Sequence, residues 1–168
     1  MTNLADQPEQ KPLWTMEPVA MLMGRLVVRF FVPGTPRPGG SKRVFLNSKT
    51  GKPIVTDAAG KGNREWRNAV MDFAQQAYQH EPLSGILGLS VTFVMPHPKS
   101  HYRKGGTLKQ NIPTYHGLRP DATKLLRSTE DALTGILWLD DAQIVEQFVR
   151  KVYGLNPGAE IVVEELTA

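Results

Sequence analysis

Asp121, Glu130, Asp131, Asp140 and Asp141 fall within 21 residues of a chain whose formal net charge is +4. Carboxylates at that density in a basic protein suit one task above others: holding a hard divalent cation against a polyanion. Magnesium takes oxygen ligands and keeps several waters, so two or three carboxylates from different elements suffice. The candidate ligands are Asp121, Asp140 and Asp141. Adjacent residues on a strand point to opposite faces, so one of Asp140 and Asp141 is the ligand and the other a helper or turn residue. Each acid also has a plainer reading. Asp121 can cap a helix, and Asp131 can pair with Arg127 one turn earlier. Trp138 is a wall of the site or part of the core. A shared cage requires the start of the helix after Asp121 to meet the Asp140-Asp141 step, which we expect if that helix and the following strand pack antiparallel.

The basic residues are clustered too. Ten fall between Arg25 and Arg67, against only Asp57 and Glu65. Lys99, Arg103, Lys104 and Lys109 form a second run, interleaved with His97, His101 and Tyr102. With a pI near 9.4, this is the footprint of a nucleic-acid partner rather than only a solvated face. Arg37, Lys42 and Arg43 in one loop, Arg103 and Lys104 in another, and Arg119, Lys124 and Arg127 beside the acids are the candidate phosphate contacts. Such contacts position nucleic acid without reading its sequence.

Regular elements must hold these groups. Residues 25–32 (RLVVRFFV) read as a strand ended by Pro33-Gly34. Residues 35–41 are loop, and 44–46 with 53–55 flank a hairpin turn. Trp66, Val70, Phe73 and Ala77 recur at helical spacing within 63–79, and Pro82 stops that helix. Residues 86–95 form a second long strand, and 99–118 a long loop of the kind that is functional or disordered. A second helix is expected over about 123–136, with Leu125, Leu126, Ala132, Leu133 and Ile136 on one arc and Thr123, Arg127, Glu130, Asp131 and Thr134 on the other. Gly135 is its breaker. Residues 143–153 form a third strand, with Ile144, Phe148 and Val152 facing one way and Val145 and Val149 the other. Residues 160–164 form a fourth strand. The fold class is α/β in the broad sense, an α+β two-layer arrangement with two helices on a mixed sheet.

At 168 residues the chain fits one domain, 24–168, preceded by a loosely attached arm over 1–23. Cysteine is absent, which excludes disulfides and thiolate metal sites. No apolar run reaches membrane-spanning length and no secretory signal opens the chain, so no membrane partner is expected and the cytoplasm is the expected compartment.

The block Arg119-Pro120-Asp121-Ala122-Thr123-Lys124-Leu125-Leu126-Arg127, followed by Asp131-Ala132-Leu133, Trp138 and Asp140-Asp141-Ala142-Gln143-Ile144, resembles the RusA family of Holliday junction resolvases, common in phages and prophages. The front Phe31-Val32-Pro33-Gly34-Thr35-Pro36-Arg37-Pro38 and the ending Lys151-Val152-Tyr153-Gly154 with Pro157-Gly158 are similar as well. The likeness spans roughly 26–165. It implies a small α/β fold, a homodimer, and magnesium-dependent cutting of four-way DNA junctions in recombination and repair, with manganese as a substitute ion. It places the essential acids at Asp121 and Asp141 and the essential base at Arg127, where the family usually has lysine. A further family carboxylate falls at position 123, which is Thr123 here.

Threonine is a poor ligand for a hard cation. Two readings follow: a working site with a variant ligand set, in which Glu130 or Asp131 helps, or a protein that grips junctions and cuts them weakly or not at all. In the first, metal activates water for in-line attack on the phosphate and Arg127 contacts that phosphate as a fixed donor fork. A C₂ dimer would match the two equivalent strands of a junction. Nucleases of flaps or structured RNA, and a scaffold whose acids are only caps and ion pairs, are the competing classes.

Overall fold

The structure, a computed structural model, describes residues 24–40, 42–57 and 60–166. The proposed arm over 1–23 lies outside them. β1 (Arg25–Pro33), β4 (Ile86–Pro96), β5 (Ile144–Gly154) and β6 (Gly158–Leu166) build one sheet in the order β1-β6-β4-β5. The first two neighbour pairs are antiparallel and β4-β5 is parallel. β2 (Lys42–Leu46) and β3 (Pro53–Asp57) form a separate hairpin, set by the turn signal at Ser48–Gly51.

Parallel strands need a crossover, and α2 (Ala122–Leu133) supplies it between β4 and β5. α1 (Gly60–Ala77) packs on β1 and on α2, and α2 packs on β5. The core lies between these helices and the sheet, with Phe93, Leu87, Leu89, Leu125, Leu133 and Trp138 fully buried. β4, paired on both sides, is buried and apolar along most of its length, as suits a central strand.

Three sequence expectations need correction. On α1, Ala74 is buried and Ala77 is exposed. At 100° per residue position 77 shares the Trp66–Val70 face, but it is the last residue of α1 and lies at the helix's open end. On β5, Ile144 and Val149 both pack against the core while Val145 is 60% exposed. The ladder skips from Leu87–Ile144 to Gly88–Glu146, and this one-residue bulge reverses the alternation that a regular strand would keep. The 99–118 segment is not structureless. It contains a 3₁₀ turn at Lys99–His101, a Tyr102–Leu108 bridge and a Tyr115–Val152 bridge to β5.

Within α2 the expected inward residues Leu125, Leu126, Ala132 and Leu133 are buried and Thr123, Arg127 and Asp131 are exposed, but Glu130 is half-buried and Thr134 and Ile136 lie past the helix end at Leu133. Ser128 and Thr129 are buried as well, because α1 offers them partners. Ser128 donates to Asn63 at 2.5 Å and Trp66 Nε1 donates to Thr129 at 3.4 Å. α2 ends where Gly135 adopts φ +82°, a left-handed conformation in which glycine carries no Cβ penalty.

Candidate active site

The crossover determines where the acids go. A helix linking two parallel strands runs against them, so its N-terminus lies at their C-terminal edge. Asp121 is therefore at the edge where β4 and β5 end, and the Asp140-Asp141 step is at the edge where β5 begins. Lys151, near the end of β5, donates to Pro120 O at 2.6 Å and Leu118 O at 2.7 Å, one edge of the sheet. Thr134, past the other end of α2, donates to Asp141 Oδ1 at 2.5 Å. The 12 residues of α2 separate the two acids by ~18 Å. The expected single cage of Asp121, Asp140 and Asp141 does not form within one chain. The antiparallel packing is as expected, but it joins the start of the strand to the end of the helix rather than to its beginning. Among the described residues, no group of three or more His, Asp or Glu can hold a metal ion.

At the first edge, Asp121 occupies the N-cap position with extended backbone, yet its side chain accepts no capping hydrogen bond. The capping role is unfilled, and the exposed carboxylate faces Lys124 Nζ at 3.4 Å instead. Arg37, Arg119 and Lys124 line the same cleft of about 570 Å³, with Met95 among its apolar lining residues. The loop that carries Arg37 is strapped to α2 by Gly39 N donating to Lys124 O at 2.9 Å, and Arg37 itself lies alongside Gly62 in the first turn of α1. Arg127 is exposed further along α2 and Thr123 is exposed in its first turn. Three of the predicted phosphate contacts thus converge on Asp121. Arg103 and Lys104 are exposed in the turn closed by Gly106 N to Arg103 O at 2.9 Å. Lys42 and Arg43 open β2, and their side chains lie outside the described residues.

At the second edge the two adjacent aspartates differ in role. Asp140 caps the Asp141–Gln143 3₁₀ turn by accepting from Ala142 N at 2.8 Å. Gln143 closes the box by accepting from Leu139 N and Asp140 N, and it donates to Leu83 O at 2.8 Å and Gly85 O at 3.0 Å. The Asp-Asp-Ala-Gln run therefore ties this turn to the approach to β4. Asp141 Oδ1 is held by Trp138 Nε1 at 2.9 Å as well as by Thr134. Trp138 is both core and support, since the same fully buried ring orients the acid. Glu130 joins Asp141 here and accepts from Gln147. Burial pushes the Glu130 carboxyl above its ordinary range, and the neighbouring Asp141 and then Asp131 push it further. Asp131 does not pair with Arg127. It meets Arg67 of α1, 3.8 Å from its carboxylate, and Arg67 also donates to Asp131 O at 3.1 Å.

Residues 33–164 match the family Endodeoxyribonuclease RusA. The chain belongs to the RusA endodeoxyribonuclease family. A Bacillus subtilis (strain 168) protein named Uncharacterized protein YqaN is 29% identical over 149 residues, covering 84% of this chain and 98% of the relative. The RusA match includes both acidic edges and the loop that carries Arg37. No helix among the described residues is long and apolar enough to cross a membrane.

Two supporting residues of this RusA-family site were not assigned a role from sequence. Lys151 stood in the Lys-Val-Tyr-Gly motif, but only the fold shows that its ammonium clamps the carbonyls just ahead of Asp121. Gln147 lies in a strand stretch whose spacing carries no signal for its contact with Glu130.

Proposed function

We propose that this protein is a magnesium-dependent, structure-specific endodeoxyribonuclease that resolves four-way DNA junctions as a C₂ homodimer. The observation that carries the reading is Asp121: a carboxylate in the N-cap position that caps nothing and opens into a cleft lined by Arg37, Arg119 and Lys124. Its carboxylate meets the exposed Lys124 of its own helix at 3.4 Å, a solvent-screened pair that leaves the acid open to a ligand in a field that attracts phosphate.

The donors fit a hard cation in kind but not in number within one chain. Asp121 brings one carboxylate at one edge, and Asp141 and Glu130 crowd together at the other. An ion shared by Asp121 and Asp141 needs the two edges of different copies to meet, which a homodimer permits. When bound, such an ion lowers the pKa of the attacking water and stabilises charge on the displaced oxygen. The chain's own residues do the rest. Trp138 and Thr134 fix one oxygen of Asp141 and orient the other. Arg127, which stays protonated, offers a donor fork to the scissile phosphate and cannot serve as the base. Arg37, Arg119 and Lys124 hold the flanking phosphates.

The direct test is nicking of a synthetic four-way junction. We expect paired nicks in Mg²⁺, none in EDTA, and no cutting of a duplex of the same sequence. Equal cutting of the duplex, or cutting in EDTA, overturns the proposal.

Thr123 supplies a second test. It is exposed in the first turn of α2, two residues from Asp121. Thr123→Asp places a further oxygen ligand there, and an acid in a helix's first turn also suits the dipole. One added ligand worth ~1.4 kcal/mol in the transition state corresponds to about a tenfold faster nicking rate. An unchanged or slower single-turnover rate would mean that the ligand set is already complete.

A further inference from the structure

The segment between β4 and α2 carries two exposed apolar side chains on a backbone tied down at several points. Tyr153 of β5 is its hub. Its ring stacks on His97 (5.4 Å, 18°) and is met by His101 and His116, each at 4.8 Å. Thr114–His116 add to the free edge of β5: His116 N donates to Lys151 O at 3.0 Å and Tyr153 N donates to Thr114 O at 2.9 Å. Side chains alternate along such a strand. His116 accordingly turns in and is 9% exposed, while its neighbour Tyr115 turns out and is 68% exposed. Leu118 is 65% exposed, although its carbonyl is clamped by Lys151 Nζ.

The strand register turns Tyr115 outward, but nothing in it calls for an apolar side chain at that position or at Leu118. A single exposed apolar residue is ordinary. Here two lie within four residues, on a fixed backbone, next to exposed Arg119 and on the same segment as exposed Lys99, Arg103, Lys104 and Lys109. Their place relative to Asp121 is informative. Leu118 precedes it by three residues, so the two Cα atoms are at most ~10 Å apart. At ~3.4 Å per nucleotide along a strand, that is about three nucleotides from a phosphate held at Asp121. Ordered apolar side chains beside a phosphate-binding surface are the means by which proteins enter between bases. A branch point presents base faces that a continuous duplex keeps stacked.

We propose that Tyr115 and Leu118 form a wedge that packs against the open base faces at the branch point of a DNA junction. This rests on the junction-cutting reading above and deepens it, giving the segment the task of telling a branch from a duplex. Stacking on an aromatic ring accepts any base, so the wedge selects shape and not sequence.

The test uses the full chain carrying Asp121→Asn, so that DNA is bound and not cut. The probes are a four-way junction with 2-aminopurine at the branch point and a matched duplex with the same base at its centre. Binding to the junction is expected to raise 2-aminopurine fluorescence several-fold. Adding Tyr115→Ala and Leu118→Ala should abolish the rise and weaken junction binding by about five- to hundredfold, with duplex affinity within about twofold of the parent. Tyr115→Trp should keep both signals. The wedge is overturned if fluorescence and junction affinity are unchanged, if junction and duplex affinities fall together, or if sedimentation shows that the double alanine variant instead loses contact with a second copy. In the chain with Asp121 intact, Mg²⁺-dependent junction nicking separates the two ideas. Nicking with unchanged junction selectivity in the double alanine variant defeats the wedge alone. Absence of nicking in the unsubstituted chain defeats the functional reading beneath it.

Discussion

Asp121→Asn and Asp141→Asn are each expected to abolish Mg²⁺-dependent nicking of a four-way junction while leaving gel-shift binding intact. Each change keeps the size of the side chain and removes the charge. If a metal-held transition state loses several kcal/mol, the rate falls by about a hundred- to a thousandfold or more. The ~18 Å between the acids, set by the 12 residues of α2, adds a sharper expectation. If the ion sits between Asp121 of one copy and Asp141 of the other, the two dead variants complement each other. A mixed dimer then holds one site with both substitutions and one with neither. With random assortment half the dimers are mixed, so co-expression should restore about a quarter of the working sites, seen as single nicks and not paired ones. Full activity in either single variant removes that acid from the mechanism. Two inactive variants that give no nicking when co-expressed would show that the site is not shared.

Trp138→Ala should have the largest effect on stability. The ring is fully buried in the core, and its Nε1 donates to Asp141 Oδ1 at 2.9 Å. Truncating a buried tryptophan to alanine costs ~3–5 kcal/mol. For a chain of this length that lowers the melting temperature by about 6–20 °C. Trp138→Phe separates the two roles. It keeps most of the packing, loses the hydrogen bond at a cost of ~1–2 kcal/mol, and frees Asp141 to rotate. It should therefore remain folded at 25 °C by circular dichroism yet nick more slowly than its stability loss explains. A melting temperature within about 2 °C of the parent for Trp138→Ala would show that the ring's site can collapse around the loss.

Much of this was legible in the residues. β-branched and aromatic runs punctuated by proline and glycine located β1, β4 and β6. Period-3.6 patterning located both helices, and the Arg-Pro-Asp and Asp-Asp-Ala-Gln blocks pointed to the family that residues 33–164 match. These signals are local: each depends on neighbours a few positions away, which the chain states directly. The long-range relations were not legible. Spacing alone could not show that α2 carries Asp121 to one edge of the sheet and Asp141 to the other, because that depends on which ends of a helix and a strand meet. Nor could it show the bulge that turns Val149 inward, since a bulge is a property of the strand pair. Lys151 reads as one more surface cation until β5 and the turn before Asp121 come together, and Asp131 takes Arg67 and not Arg127 because α1 packs there. Local preference determined the elements. Packing decided which charges face each other, because electrostatic partners are chosen by distance in space and not by distance along the chain.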